Sequence, residues 1–252
     1  MLIDTHCHLN LLEGDTKEII KQAVAEGVEK IIVPGIDVPS SQNALAMAKE
    51  YPEVYAAVGF HPNYLHTADL ENIEQINELA VHAEVVAIGE IGLDFYRQKD
   101  NTNEQTRVFE HFCSIATQEA KPVIVHSRAA DEATLDILRL FKADGIRGVW
   151  HCYDGDWALA QKIIDIGFYL GFTGGITFTN DDSRLEVIKK IPADKIIIET
   201  DSPYMAPIPH RGKTNQPAYL IEVARKVAEL REITIEKVAE MTTANATKLF
   251  NL

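Results

Sequence analysis

The sequence predicts a single-domain α/β protein, a (β/α)8 TIM barrel over residues 1–252 with a metal site at the C-terminal mouth of its strands. Three observations carry this. Short apolar runs alternate with amphipathic helical stretches along the whole chain. The runs are continuously apolar, as parallel strands buried on both faces are. Their number matches the eight strands of a closed barrel. A doubly wound open sheet is the main rival. Against it, the turn after the first run reads HCHLNLLEG and lacks a G-x-G-x-x-G for a pyrophosphate.

Taken in order, strand 2–6 (LIDTH) leads to a helix over 15–27, and strand 29–33 to a helix over 40–50. Strand 54–58 is followed by a long loop, 60–68, and a helix over 69–82. Strand 85–89 (VVAIG) leads through a second long loop, 92–102, to a helix over 103–119. Strands 122–126 (PVIVH), 147–151 (RGVWH) and 168–172 precede helices over 129–143, 155–166 and 182–190. Strand 195–200 (KIIIET) ends in the longest loop, 202–215, before a helical pair near 216–230 and 234–249. Loops of this size on a barrel mouth usually carry function.

The formal charge is −14, which excludes a broad basic surface for sequence-independent nucleic-acid binding. An anionic substrate must then be held locally, by metals and a few Arg or Lys side chains. Three cysteines, Cys7, Cys113 and Cys152, without a CxxC, argue against a disulfide framework or a zinc-thiolate site and read as small core residues. No apolar run approaches the ~20 residues of a membrane helix. Asp4 and His6 follow directly on Met1, Leu2 and Ile3, unlike a signal peptide, so a cytoplasmic protein is expected. A monomer is favoured.

Six candidate metal ligands stand at or just past five strand ends: His6, His8, Glu90, His126, His151 and Asp201. His6 and His8 are two apart, so the period of an extended chain sends both to one face. Asp201 ends strand 8, which neighbours strand 1 in a closed barrel. His126 and His151 end adjacent strands 5 and 6. The expectation is two sub-sites, His6, His8 and Asp201 on one metal and His126 and His151 on the other, with Glu90 between. Imidazole and carboxylate donors without thiolate suit Zn, Mn, Co or Fe better than Mg. Glu199 shares parity with Asp201, and either supports a ligating histidine or forms a structural ion pair.

With these residues in view, the chain resembles the TatD family of metal-dependent deoxyribonucleases among the amidohydrolase-like barrels. The resemblance spans the length of the chain. It rests on IDTHCHL at 3–9, VGFHP at 58–62, IGEIGLDFY at 88–96, PVIVHSR at 122–128, WHCYDG at 150–155, ETDSPY at 199–204 and PHRGKTNQP at 209–217. It implies that the six ligands hold two divalent ions with Glu90 bridging, and that the protein hydrolyses phosphodiesters of nucleic acid, mainly DNA, as a 3′–5′ exonuclease.

The chemistry expected is attack by a metal-bound hydroxide, since a bound cation pulls the pKa of water from ~15.7 towards ~7. Asp201 is placed to accept the proton. His61, after strand 3, is the candidate to protonate the leaving oxygen; the alternative is a loop histidine bonding its own turn before Pro62. Arg128, Arg211, Lys213 and Asn215 are the candidate phosphate contacts, the alternative at 209–215 being a solvated basic loop. Tyr64, Phe95, Tyr96 and Tyr204 lie in mouth loops where bases can stack, though each taken singly is more often loop packing. Two rival functions are an amide or ester hydrolase (lactonase, cyclic amidase or aminoacyl-tRNA deacylase) and a metal-binding barrel without catalysis.

Overall fold

Apolar, β-branched runs make the strands, and acidic or hydroxyl residues start the helices between them. The computed structural model describes residues 1–252, with the side chain of Thr67 excepted. The elements alternate without a break: β1 (Leu2–Asp4), α1 (Thr16–Ala25), β2 (Val28–Pro34), α2 (Val38–Glu50), β3 (Val54–Val58), α3 (Leu70–Ala80), β4 (Val85–Asp94), α4 (Thr102–Gln118) and β5 (Val123–Arg128). They continue with α5 (Asp131–Leu140), β6 (Gly148–Trp150), α6 (Trp157–Asp165), β7 (Tyr169–Phe172), α7 (Asp182–Lys190), β8 (Ile196–Ile198), α8 (Leu220–Arg231) and α9 (Ile235–Phe250). The eight strands form one sheet in chain order, β1 to β8, which is the order of the expected (β/α)8 fold.

Local chemistry explains the helix starts. Asp37 and Ser40 form a reciprocal capping box at α2, Ser40 N–H donating to Asp37 Oδ1 at 2.9 Å and Asp37 N–H to Ser40 Oγ at 3.0 Å. Asp15, Asp69, Asp181 and Thr234 each cap a helix, α1, α3, α7 and α9, by accepting one backbone N–H. Each such cap contributes about 1 kcal/mol.

By its internal contacts the chain groups into two compact units. One comprises Met1–Val33, Cys152–Ile164 and Tyr169–Leu252. Within it β7 pairs with β8 and β1 with β2, all parallel. β1 and β8 join beyond their ends through the Cys7–Ser202 bridge. Its core includes Ile3, Leu9, Ile31, Ile32, Phe172 and Phe250. The other comprises Pro34–His151 and Asp165–Phe168, with β3, β4, β5 and β6 paired in parallel order around Phe60, Ile76, Ile88, Phe109, Phe112 and Phe168. Each fully buried Phe contributes about 1.5–3 kcal/mol of transfer free energy.

Of the strand ends that differ from expectation, those of β4, β8 and β1 matter for the candidate site. β4 does not stop at 89 but continues to Asp94. Its register against β5 breaks between Ile88 and Ile91, so Glu90 stands in a bulge and donates its N–H to Gly35 O at 2.8 Å instead. β8 ends at Ile198, which leaves Glu199, Thr200 and Asp201 outside the ladder. Simple alternation therefore does not govern them. β1 ends at Asp4 and the chain bends at Thr5, yet the Cys7 bridge ties it to Ser202 and the rings of His6 and His8 still meet. Of the expected long loops, 60–68 is largely a 3-10 turn over Pro62–Thr67.

Candidate functional site

In the first unit the extension of β1 is stitched in place on both sides. Cys7 N–H donates to Ile32 O at 3.0 Å, His8 N–H to Ser202 O at 2.8 Å and Asp201 N–H to His6 O at 2.8 Å. These bonds fix the backbones of three ligand candidates relative to one another. His6 Nε2 and His8 Nε2 come within 3.2 Å, and Asp201 Oδ1 lies 3.8 and 3.7 Å from them. His6 and His8 are buried, and Asp201 is largely so. Donor atoms ~2.0–2.2 Å from a common ion, at tetrahedral or octahedral angles, lie about 3.0–3.5 Å apart. The nitrogen pair meets this spacing, and the carboxylate lies just beyond it. The residues therefore fit a divalent cation.

Two buried acids lie behind this cluster. Asp4 Oδ1 accepts from Thr200 N–H at 2.9 Å and His6 N–H at 3.4 Å, and Oδ2 from the Thr200 hydroxyl at 2.6 Å. Burial pushes its carboxyl up to about 7, and the Thr200 bonds only partly offset this. Glu199 Oε1 accepts from Cys152 N–H at 2.6 Å and Oε2 from the Thr5 hydroxyl at 3.4 Å. Gly171 makes room for it, because a Cβ there would sit 2.7 Å from Glu199 Oε2. Asp201 and Cys152 adopt left-handed backbone, with φ of 54° and 47°, a conformation found at functional turns more often than elsewhere. All three cysteines are free; Cys7 and Cys113 are buried, and burial raises both thiols.

In the second unit one buried carboxylate oxygen gathers three imidazoles. Glu90 Oε1 lies 3.1 Å from His126 Nδ1, 3.5 Å from His61 Nε2 and 4.0 Å from His151 Nε2. The bulge in β4 aims Glu90 here. Donor atoms of His61, Glu90 and His126 all lie within 4.8 Å of one another, again a set that fits a cation. Burial lowers His126, but its hydrogen bonds to Asp94 and Glu90 outweigh this and raise it above the ordinary value.

His61 follows β3 and caps the 3-10 turn. Its Nδ1 accepts the Asn63 N–H at 3.1 Å, so the proton sits on Nε2, facing Glu90. Burial lowers its pKa to about 3. The expected turn bond before Pro62 is present, and Nε2 faces Glu90.

Of the expected phosphate contacts, Arg128 and Arg211 are exposed and stacked. The Arg128 guanidinium lies 4.2 Å over the Tyr96 ring and that of Arg211 3.7 Å over Phe178. Such stacking holds the plane while leaving N–H edges for an anion. Lys213 is exposed. Asn215 is fully buried, its amide donating to Thr200 O at 2.8 Å and Tyr204 O at 2.6 Å. It braces the 202–215 loop from inside and does not reach a substrate. Tyr64, Tyr96 and Tyr204 are exposed and Phe95 is half-buried. The sequence reading passed over Asp94, whose Oδ2 lies 3.4 Å from His126 Nε2. Its signal was the IGLD that follows Glu90.

Comparison with known proteins agrees with this picture. The model of TatD related DNases matches residues 3–251. The metal-dependent hydrolase YabD of Bacillus subtilis is 42% identical over 254 residues, covering 100% of both chains. The 3′-5′ ssDNA/RNA exonuclease TatD of Salmonella typhimurium is 35% identical, covering 94% of each. The crystal structure of YJJV, a TatD homologue from Escherichia coli, superposes with a TM-score of 0.94 at 31% identity, covering 100% of this chain and 98% of that one.

Proposed function

Because the chain belongs to the TatD-related family of metal-dependent hydrolases, we propose that it hydrolyses phosphodiester bonds of nucleic acid, chiefly DNA, from the 3′ end. The observation that carries this reading is the pair of ligand clusters, His6, His8 and Asp201 in one unit and Glu90, His126 and His151 in the other. The Salmonella relative's name supports the choice of substrate. The whole chain is taken as one hydrolase domain, since the family match runs through both units.

The three residues of each unit would hold a divalent cation. Bound there, the cations supply Lewis-acid stabilisation of the phosphate and acidify water. Asp201 accepts the proton of the attacking water. Asp4 and Thr200 hold the backbone on which His6 and Asp201 stand. Arg128, Arg211 and Lys213 bind phosphates away from the scissile one.

Chelated and then metal-restored protein, assayed on an aryl phosphodiester, an aryl ester and a lactone, tests the reaction class. Turnover of the phosphodiester alone, lost on chelation, is expected. Turnover confined to the ester or lactone moves the protein to the acyl-hydrolase class.

With so few cations available, log K should fall with log salt by ~0.7 per phosphate contact, giving a slope near −2 for single strands. Arg211→Ala is expected to weaken oligonucleotide binding and to lower that slope by less than one. Hydrolysis of the small aryl phosphodiester should be unchanged. Equal loss on both substrates places Arg211 in the chemistry or the fold instead.

A further inference from the structure

Four aromatic side chains stand in the loops that follow the strands, and their surroundings separate them. Tyr96 has one face covered by the Arg128 guanidinium at 4.2 Å. Tyr64 lies 6.1 Å from the His61 ring and 6.4 Å from that of His66, with which it stacks. Phe95 is half-buried. Tyr204 differs from all three, being 56% exposed with its ring beside a candidate ligand. The ring centroids of Tyr204 and His8 are 6.2 Å apart at an interplanar angle of 74°. An edge contact of this kind takes up at most one face of the Tyr204 ring.

The backbone under this ring is held from several sides. Tyr204 N–H donates to Asp201 O at 2.8 Å, closing a turn that starts at the neighbouring ligand candidate. Tyr204 O accepts from Nδ2 of the buried Asn215 at 2.6 Å, and Asn215 N–H donates to Pro203 O at 3.0 Å. Met205 follows in left-handed backbone, at φ 54°, and a Cβ on Gly174 would fall on its carbonyl oxygen. Ordering a loop at the moment of binding weakens affinity, and here that ordering is already built in.

We propose that Tyr204 is a specificity-determining residue: its exposed ring stacks on a base adjoining the scissile phosphate, whichever base that is. The proposal rests on reading the chain as a nucleic-acid phosphodiesterase with His8 and Asp201 at the reacting centre. A phosphate held at that cluster brings the bases of the two nucleosides it joins within one sugar of the ring. Every base has a π face, so stacking requires that a base be present and able to leave its neighbours, but not that it be a particular one. The site therefore accepts any base sequence and discriminates against a backbone whose end carries no bases.

The test uses full-length, metal-loaded protein and three 5′-labelled single strands. One carries all its bases, a second has stable abasic (tetrahydrofuran) residues on both sides of the terminal phosphodiester, and a third has the same two residues in mid-strand. Tyr204→Ala should lower kcat/KM for the first cleavage of the all-base strand by ~5–150-fold, the range for losing one stacked base. The wild type should lose a similar factor on the end-abasic strand, where Tyr204→Ala adds no further loss. The mid-strand abasic substrate should behave as the all-base one in both proteins, and Tyr204→Phe, which keeps the ring, should restore cleavage of the all-base strand. Equal loss in Tyr204→Ala on all three strands makes the residue structural and overturns the proposal. So does wild-type cleavage of the end-abasic strand at the full rate. A wild type that cleaves none of the strands overturns the phosphodiesterase reading and this proposal with it.

Discussion

Asp201→Asn is expected to lower phosphodiester hydrolysis by at least ~10²-fold, the lower end for loss of a general base. The substitution keeps the shape and one oxygen of the side chain but removes the negative ligand and the proton acceptor beside His6 and His8. Its effect on folding should be small for a specific reason. Asp201 sits in left-handed backbone at φ 54°, which Asn tolerates as well as Asp does. Its N–H bond to His6 O belongs to the main chain and is retained. Activity and the thermal midpoint of the metal-free protein, measured together, check this. Near-wild-type hydrolysis moves the base elsewhere, and a collapsed midpoint makes the residue structural.

Gly92→Ala is expected to cost about 3 kcal/mol or more, combining a forbidden backbone angle with overpacking. Gly92 has φ 140°, and a Cβ there falls on the carbonyl oxygen of His126, its partner across the β4–β5 ladder. The clash is with backbone, so it cannot be relieved by a rotamer change. Gly145→Ala is the control. It too has positive φ, 82°, but open space around the added carbon, and should cost about 1–2 kcal/mol from the dihedral alone. Urea unfolding of both variants isolates the steric part. Equal losses would mean that β4 and β5 separate readily at the bulge.

The strands were legible because each is a continuous apolar run, and a run of Val, Ile and Ala between polar stretches has few other uses in a chain of this composition. The ligand candidates were legible because chemistry-bearing residues end those runs. What local pattern could not disclose was set by partners distant in sequence. The bulge at Glu90 depends on Gly35 O taking its N–H, 55 positions away in the chain. Asn215 reads as a polar loop residue, and only the carbonyls of Thr200 and Tyr204 reveal that it is buried. The orientation of the His61 ring is set by Asn63, whose N–H claims its Nδ1. Asp94 looked like the start of a solvated loop because β4 was expected to stop five residues earlier.

The claim at the centre of this account is metal-dependent cleavage of nucleic-acid phosphodiesters from the 3′ end. Metal-loaded protein incubated with 5′-labelled single-stranded DNA tests it most directly, with double-stranded DNA and RNA in parallel. A descending ladder on single-stranded DNA, abolished by chelation, restored by added divalent metal and absent in Asp201→Asn, is the predicted result. Intact labelled strands under conditions where the same loaded protein turns over an ester or lactone would contradict it.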